Sequence, residues 1–402
     1  MMERRLAMGI LLVLVVAVAL QGQRPAERSV EEAACEVLLS LGMEEVRVAR
    51  NDSVCTVAYE DNIYRGTYRG LAAVVSALRE LPEAQQAAEY ELVVLADRIP
   101  RLLLTLPRSV AALEVGYDTD EAMRRLKGQV VRNRLGGRID VVLYPELFLQ
   151  NSWLDKLYGV AVSFSPAIEA ALWKGAVLTG QVVVPLYTNM ADYRKYIRPG
   201  VITLRQEFRL PGGVSGRLAA GNFTGNRMGV DAALRYQPAR GRWMAGADVG
   251  LTGSSTCYGG GWVVSTWRKV TGSVWWRYNE ARYGLQVDLA AIRLVYGDMG
   301  ARLDIRRHFG EVAVGVYGMV TGGEVNGGFH FAVPFPGVKR GKRRAVRFRL
   351  PEYFGYAYRA RHGGSYGDGL LGYGYEVRPD VNGSRGYDAP DFVRKEILGH
   401  IK

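Results

Sequence analysis

The sequence predicts a mainly β protein, in which an antiparallel transmembrane β-barrel of about 12–14 strands follows a small α+β domain. Three observations lead to this prediction. An apolar stretch near the N terminus is typical of an export signal, and residues 107–336 repeat strand-length segments in which apolar and polar side chains alternate. In addition, aromatic residues gather near the ends of those segments, as they do at membrane interfaces.

The composition is that of a folded chain. Of the 402 residues, 48% are hydrophobic, and the 49 glycines show no three-residue period, which excludes disordered and collagen-like classes. Lys and Arg number 52 against 40 Asp and Glu, so the formal net charge is +12. This charge favours an anionic partner, such as nucleic acid, phosphorylated lipid or an acidic polysaccharide.

Residues 1–22 have the parts of a secretory signal peptide. Met1 to Arg5 carry basic residues, Leu6 to Leu20 are apolar, and Ala17 to Ala19 supply the small residues of a cleavage site. A membrane anchor helix is the alternative, although such a helix needs about 18–25 apolar residues. We therefore expect an exported chain that is either periplasmic or a membrane β-barrel.

A small α+β domain on the periplasmic side is predicted over residues 27–106. Apolar residues at helical spacing predict helices over Val30 to Leu41 and Tyr68 to Leu81. Short strands are predicted over Glu45 to Ala49, Val54 to Tyr59, Tyr90 to Leu95 and Arg101 to Leu106. Cys35 and Cys55 lie in this domain, either as a disulfide or as free buried thiols.

Residues 107–336 are predicted to form an outer-membrane barrel. Successive residues of a strand face opposite sides of a sheet, and here one side is mainly apolar while the other is small or charged. The segments reach about the 9 to 11 residues that a tilted strand needs to cross hydrocarbon. A soluble β-sandwich, whose apolar side points into a shared core, is the alternative. Members of the apolar side include Val230, Leu234, Val249, Leu289, Leu303, Val314 and Phe329.

The polar side is predicted to line the barrel lumen. Rings of Arg or Lys select anions in pores, so the basic residues of this side are candidates for substrate binding. Acids such as Asp231, Asp288 and Asp304 alternate among them, so a salt-bridge network filling a narrow barrel is the alternative interpretation. The candidate residues are Arg205, Arg217, Arg235, Arg277, Arg302, Arg306 and His330.

Candidates for catalysis and for metal binding are scarce. The chain has four histidines, and its three cysteines lack the paired spacing of a zinc site. Phosphate-binding loops, dinucleotide fingerprints and zinc-finger spacings are missing from the sequence. We therefore predict no catalytic residue, no metal, no cofactor and no nucleic-acid partner.

Residues 337–402 are predicted to form a basic C-terminal extension that is also rich in glycine and tyrosine. Its basic run, Val338 to Arg349, has two interpretations: contact with phosphates or an anionic polymer near the membrane, or a solvated loop. Further along, Gly372 to Val377 (GYGYEV) fits one more strand.

An ordered series of segments carries a family resemblance. The series is KGAVLTGQVVVPLY (Lys174 to Tyr187), RPGVITLRQEFRLP (Arg198 to Pro211), AGNFTGNRMGVDAALRY (Ala220 to Tyr236), GRWMAGADVGLTGSS (Gly241 to Ser255), RHFGEVAVGVYGMVTGGEVNGGFHFAVPFP (Arg307 to Pro336) and PEYFGYAYRAR (Pro351 to Arg361). Together these segments resemble the YjbH-type outer-membrane proteins of exopolysaccharide and capsule gene clusters. The resemblance covers most of residues 109–361.

The resemblance implies a non-enzymatic β-barrel in the cell outer membrane that takes part in exopolysaccharide or capsule secretion or assembly. Its implied partners are outer-membrane lipid, an anionic polysaccharide, and periplasmic or lipoprotein components of the polysaccharide export system. Two alternatives stay open. One is an outer-membrane enzyme acting on polysaccharide or lipid, and the other is a structural or adhesive barrel with a plugged lumen.

Overall fold

The protein is mainly β. The computed structural model describes residues 29–134, 136–151, 158–190, 193–239, 241–341, 346–358, 374–380 and 388–401. In this part of the chain the strands form one sheet of five and one sheet of fifteen. No helix there combines the length and the apolar character needed to cross a membrane. The predicted signal peptide, residues 1–22, lies outside the described residues.

The five-stranded sheet and its helices form the small unit, residues 29–134. Its elements are α1 (Val30–Leu41), β1 (Glu44–Asn51), β2 (Val54–Glu60), α2 (Thr67–Arg79), β3 (Glu89–Ala96), β4 (Ile99–Pro107), β5 (Glu114–Gly116) and α3 (Asp120–Arg125). The helices and strands predicted up to residue 106 are all observed, in the predicted order. The sheet order is β1-β2-β3-β4-β5, and β2 and β3 are parallel because α2 crosses over between them.

Local signals explain where α1 begins and ends. The Ser29 hydroxyl accepts the Glu32 backbone N–H at 3.2 Å, and the Glu32 carboxylate accepts the Ser29 N–H at 3.3 Å. This capping box satisfies two N–H groups that the helix itself leaves unpaired. The helix ends at Gly42, whose φ of 88° suits glycine because that conformation is strained for other residues.

The core of the small unit lies between its two long helices and its sheet. Leu38 of α1 and Val74 of α2 are fully buried against Leu92 and Leu104 of the strands. Both Cys35 and Cys55 are free thiols. Burial raises the pKa of Cys55 to about 12, so this thiol stays protonated.

The fifteen-stranded sheet begins at Ile139. Twelve long strands follow one another as antiparallel neighbours, and three short strands, β13, β19 and β20, extend the sheet. The strands are β6 (Ile139–Asn151), β7 (Tyr158–Ala171), β8 (Ala176–Thr188), β9 (Arg198–Leu210), β10 (Val214–Phe223), β11 (Arg227–Tyr236), β12 (Trp243–Tyr258), β13 (Gly261–Val264), β14 (Lys269–Glu280), β15 (Leu285–Arg293), β16 (Met299–Phe309), β17 (Val312–Thr321), β18 (Glu324–Pro334), β19 (Val346–Arg349) and β20 (Tyr353–Ala357).

The short strands at the two ends of this sheet, β19 and β20, follow one another in the chain. β19 pairs in parallel with β6 at one end, and β20 pairs antiparallel with β18 at the other. Only residues 350–352 separate β19 from β20. Within the described residues no ladder joins these two strands to each other.

The large sheet is apolar on its exposed face and polar on its buried face. In β17, Val314 is 46% exposed while the neighbouring Ala313 is 2% exposed. In β16, Leu303 is exposed, whereas Asp304 and Arg306 are buried. This arrangement is the reverse of a soluble sandwich, in which the apolar face lies in the core. The apolar side that the alternation predicts is therefore the outer one.

The small unit lies against one end of the large sheet, here called the capped end, which contains the turns 172–175, 211–213, 281–284 and 310–311. A C-terminal helix, α4 (Pro390–His400), packs between the two. The ring of Phe392 lies 6.2 Å from the Tyr68 ring of α2 and 5.6 Å from the His308 ring of β16. The helix therefore joins the small unit to the large sheet.

Candidate binding site on the polar face

The seven basic residues predicted from the sequence all lie on the polar face of the large sheet. Arg205 is in β9, Arg217 in β10, Arg235 in β11, Arg277 in β14, Arg302 and Arg306 in β16, and His330 in β18. The strand period places them on one face, because every second residue points the same way. Their side chains form separate clusters rather than one ring.

Two of the clusters are ion pairs between neighbouring strands. Arg217 donates to Asp231 at 2.7 Å, and Arg277 binds Asp288 through two hydrogen bonds of 2.6 and 2.8 Å. A bidentate pair of this kind fixes both side chains, because the planar guanidinium matches the carboxylate. These pairs are the salt-bridge network that the sequence left as an alternative.

Asp304 is the centre of the largest cluster. Its carboxylate lies 2.8 Å from the Nε2 of His330, 3.0 Å from Arg302 and 3.7 Å from Arg306. The guanidinium of Arg302 also lies 4.0 Å from the centre of the Tyr317 ring. Asp304 is 6% exposed, so it supplies a buried counter-charge to two arginines and a hydrogen-bond partner to His330.

Arg235 differs from the other six. Among the described residues, no carboxylate lies within ion-pair distance of its guanidinium, which faces the Trp275 ring at 6.0 Å. Its Nε–H group is buried and donates to no hydrogen-bond acceptor among the described residues. Of the seven candidates, Arg235 is therefore the one whose charge is least needed to neutralise an acid.

Arg205 connects the polar face to the small unit. It donates to Asp97, in the turn between β3 and β4, at 2.9 Å and lies 3.4 Å from Glu207 of its own strand. Arg101 of β4 also pairs with Glu207. A second connection is formed by Glu311, which receives two hydrogen bonds from Arg65, of 2.7 and 2.8 Å. Opposite charges therefore hold the small unit on the capped end.

A cavity of about 250 Å³ lies where the two units meet. Its charged lining consists of Arg138, Arg205, Arg340, Arg349 and Arg378 together with Glu60, Asp61, Asp97, Asp140, Glu169, Glu352 and Asp380. The mixture of donors and acceptors suits a ligand with many hydroxyl groups better than a simple anion. In the part of the chain that the structure describes, no group of three His, Cys, Asp or Glu side chains could hold a metal ion.

Glu60 is an unusual acid at the edge of this cavity. Burial, together with the nearby Asp97 carboxylate, raises the pKa of Glu60 to about 7. Its carboxyl group accepts the backbone N–H groups of Asp97 at 3.1 Å and Arg98 at 2.8 Å, which fixes the β3–β4 turn. Burial also raises the pKa of the adjacent Asp61 to about 6.

Residues 346–349 of the basic run Val338 to Arg349 form β19 and are not a solvated loop. Arg347 forms a bidentate pair with Asp140 of β6, at 3.0 and 2.8 Å, and it is 6% exposed. Arg349 donates to Asp140 at 3.1 Å and to Glu169 of β7 at 2.6 Å. These two arginines anchor β19 to the sheet. Residues 342–345 of the run lie outside the described residues.

Residues 374–380 lie against the polar face, and here they are called the inner segment. Glu376 and Thr224 exchange two hydrogen bonds of 3.0 and 2.8 Å, and the Val377 carbonyl accepts the Thr203 hydroxyl at 3.3 Å. Arg378 lies 3.8 Å from Glu207 near the capped end. The predicted extra strand at Gly372 to Val377 is wrong for residues 374–377, because this segment bonds to strand ends and side chains instead of a ladder.

Sequence reasoning did not find several of these partners. Asp97, Asp140 and Glu169 carry no local signal in the sequence beyond their charge. Tyr375, in the inner segment, lay in the stretch predicted as an extra strand, and nothing in that prediction indicated its contact with Phe223. Alternation identifies the face of a residue but not its partner on another strand.

Comparison of the chain with models of known protein families, with curated proteins and with solved structures gave no match.

Replacing Glu60 by Gln should change how stability depends on pH. The folded-state pKa of Glu60, about 7, lies above its ordinary value of 4.5. The folded state therefore binds this proton more tightly than the unfolded state does. The free energy of unfolding falls as pH rises from 4.5 to about 7. Between pH 5 and pH 8 the free energy of unfolding of the unmodified chain should fall by about 2–3 kcal/mol more than that of Glu60→Gln. Urea unfolding in detergent micelles measures this difference.

The matched control for Glu60→Gln is Glu121→Gln. Glu121 lies in α3 with its side chain 61% exposed, and its ion pairs with Arg124 and Arg125 lie at the surface, so its replacement should change stability little. Its pH profile should follow that of the unmodified chain. Parallel profiles for Glu60→Gln and the unmodified chain would show that Glu60 titrates normally in the fold.

Replacing Asp304 by Asn should destabilise the protein by about 3–5 kcal/mol, because it leaves Arg302 and Arg306 without their buried counter-charge. The control is Asp391→Asn in α4, where an exposed carboxylate pairs with Arg242 at 3.1 Å. That change should cost less than about 1 kcal/mol. Urea unfolding in micelles compares the two, and equal losses would contradict a structural role for Asp304.

Proposed function

We propose that this protein is an outer-membrane β-barrel that takes part in exopolysaccharide or capsule secretion or assembly. The observation that carries the proposal is the reversed polarity of the large sheet, whose exposed face is apolar and whose buried face holds ion pairs. Water disfavours an extended apolar surface, whereas the hydrocarbon of a bilayer accepts it. A membrane barrel is the known architecture that needs this polarity in a sheet.

In this proposal the sheet closes through β19 and β20. The twelve long strands alternate in direction, so the last of them, β18, is antiparallel to β6. β19 is parallel to β6 and β20 is antiparallel to β18, so both run the same way and act as two halves of one strand. Each half pairs with one edge of the sheet. Closure of this kind removes the exposed edges that an open sheet would present to lipid.

The lengths of the strands and the position of the small unit support the same proposal. The twelve long strands have 9 to 16 residues, and a tilted strand needs about 9–11 to cross hydrocarbon. The predicted signal peptide would deliver the chain to the periplasm, so we place the small unit and the capped end on that side. The small unit is then available to periplasmic or lipoprotein partners of the export system.

The polysaccharide part of the proposal has two supports. One is the resemblance to YjbH-type proteins, carried by the segments from Lys174 to Arg361. The other is the chemistry of the polar face, where arginines alternate with carboxylates and hydroxyl groups. Such a surface offers donors and acceptors to a hydrophilic chain, and its arginines suit an anionic one. We propose no catalytic residue, because Asp304 and His330 are held in an ion-pair cluster.

A second candidate function is a structural or adhesive barrel with a plugged lumen. The inner segment favours it, since it lies on the polar face together with the ion pairs. In this case the polar side chains stabilise the barrel and no polymer passes. The two candidates differ in the role that they give to Arg235.

Membrane insertion can be tested with two leucine-to-arginine substitutions. Leu289, in β15, is 50% exposed on the apolar face, and Leu39, in α1, is 36% exposed on the small unit. An arginine in hydrocarbon costs about 2–4 kcal/mol near the bilayer midplane, whereas exposed sites in water tolerate it. Leu289→Arg should therefore reduce the amount of heat-modifiable protein that is recovered in the outer-membrane fraction, while Leu39→Arg should leave that amount unchanged.

The control for this experiment is the unmodified chain, which should fractionate with the outer membrane. Recovery of the unmodified chain as soluble protein would overturn the barrel proposal. Equal tolerance of both arginines would also count against it, because the apolar face would then be in contact with water.

Replacing Arg235 by Gln tests participation in export. If the polar face guides an anionic polymer, loss of this cation should lower secreted polysaccharide at least about twofold while protein level and melting temperature stay unchanged. The control is Arg79→Gln, which removes the same charge from the exposed end of α2. Polysaccharide is measured in a host whose only copy of the gene is the variant. Unchanged export for Arg235→Gln would favour the structural barrel.

A further inference from the structure

Tyr375 of the inner segment sits in a defined pocket of the polar face. Its ring stacks on Phe223 with centroids 5.2 Å apart and planes 12° apart. Its hydroxyl donates to Asp231 at 3.0 Å and is 3.0 Å from the Thr271 hydroxyl. Phe223 is 1% exposed beneath it. The pocket therefore offers an aromatic floor with a carboxylate and a hydroxyl at its rim.

The backbone of the sheet leaves space for this ring. A Cβ atom added at Gly250 of β12 would lie 1.7 Å from the Tyr375 hydroxyl oxygen. A side chain at this position would therefore prevent the tyrosine from reaching Asp231. The other carboxylate oxygen of Asp231 accepts Arg217 at 2.7 Å, so the acid is held in place independently of Tyr375.

These features are the ones that recognise a sugar ring. The C–H face of a pyranose carries partial positive charge and packs on the negative face of an aromatic ring. Its hydroxyls donate to carboxylates in charge-assisted hydrogen bonds. A second acid, Asp248, lies 3.7 Å from Arg217, so two carboxylates share this arginine. The local charge therefore favours a neutral sugar over a uronate.

We infer that Phe223, Asp231 and Thr271 form a subsite for one neutral hexopyranose unit of a polysaccharide, and that Tyr375 fills this subsite in the resting protein. The inference rests on the proposed function for the source of the sugar. Since Tyr375 belongs to the same chain, it competes at an effective concentration of about millimolar. A polymer must displace the inner segment to reach the subsite, so the segment closes the path until polymer is present.

The test measures binding of cellopentaose, a neutral oligosaccharide, to the purified full chain in detergent micelles by isothermal titration calorimetry. Tyr375→Ala should bind it at least about tenfold more tightly than the unmodified chain, because the competing ring is gone. Adding Asp231→Asn to that variant should weaken binding again by about tenfold, because a charge-assisted hydrogen bond is lost. Trigalacturonate should bind Tyr375→Ala more weakly than cellopentaose does.

The matched control is Tyr283→Ala, which removes a tyrosine that is 58% exposed at the capped end. This variant should bind cellopentaose no better than the unmodified chain. A second variant, Tyr375→Phe, keeps the stacked ring but loses both hydrogen bonds, so it should give intermediate affinity. Tyr375→Phe is the variant that should perturb the fold least. Heat-modifiable migration checks that every variant is folded.

The inference is overturned if folded Tyr375→Ala and Tyr375→Phe bind cellopentaose no more tightly than Tyr283→Ala. It is also overturned if Asp231→Asn has no effect in the Tyr375→Ala background. These outcomes are separate from the export test. If Tyr375→Ala binds cellopentaose but Arg235→Gln leaves export unchanged, the proposed function is contradicted and the subsite is supported. If Arg235→Gln lowers export but Tyr375→Ala does not bind cellopentaose more tightly, the subsite is contradicted and the proposed function is supported.

Discussion

Most charged side chains on the buried face of the large sheet lie beside an opposite charge, and the rest of the structure depends on this pairing. A buried ion without a partner costs several kcal/mol, so the strands must place acids and bases side by side. Asp288 and Arg277 meet this need across neighbouring strands, and Asp304 meets it for two arginines. The apolar side chains are thereby left on the outer face, which sets the polarity of the whole sheet.

The same kind of pairing attaches the small unit. Glu311 at the capped end pairs with Arg65 and Arg69 of the small unit, and Asp97 of the small unit pairs with Arg205 of the sheet. Each unit therefore completes the electrostatics of the other. The cavity between them keeps this mixed character, and Glu60 beside it holds its proton to near neutral pH.

The inner segment gives the polar face a second kind of order. Ion pairs fill the spaces between strands, whereas Tyr375 fills a pocket with an aromatic floor and a rim of hydrogen-bonding groups. A side chain can be displaced from such a pocket by a ligand of similar shape, but the ion pairs cannot be removed without loss of stability. The proposed export function and the proposed sugar subsite therefore concern different parts of one surface, with Arg235 and Tyr375 as their respective probes.

The sequence by itself determined the elements and the faces of the strands. Helical spacing located α1, and period-two alternation put Arg217 and Val230 on opposite faces, because both patterns arise from local backbone geometry. Only the tertiary structure decided the partners. Arg205 meets Asp97 and Arg347 meets Asp140 across more than a hundred intervening residues, and Tyr375 reaches Phe223 from beyond the last strand. Such contacts depend on strand register and chain path, which no local pattern in the sequence encodes.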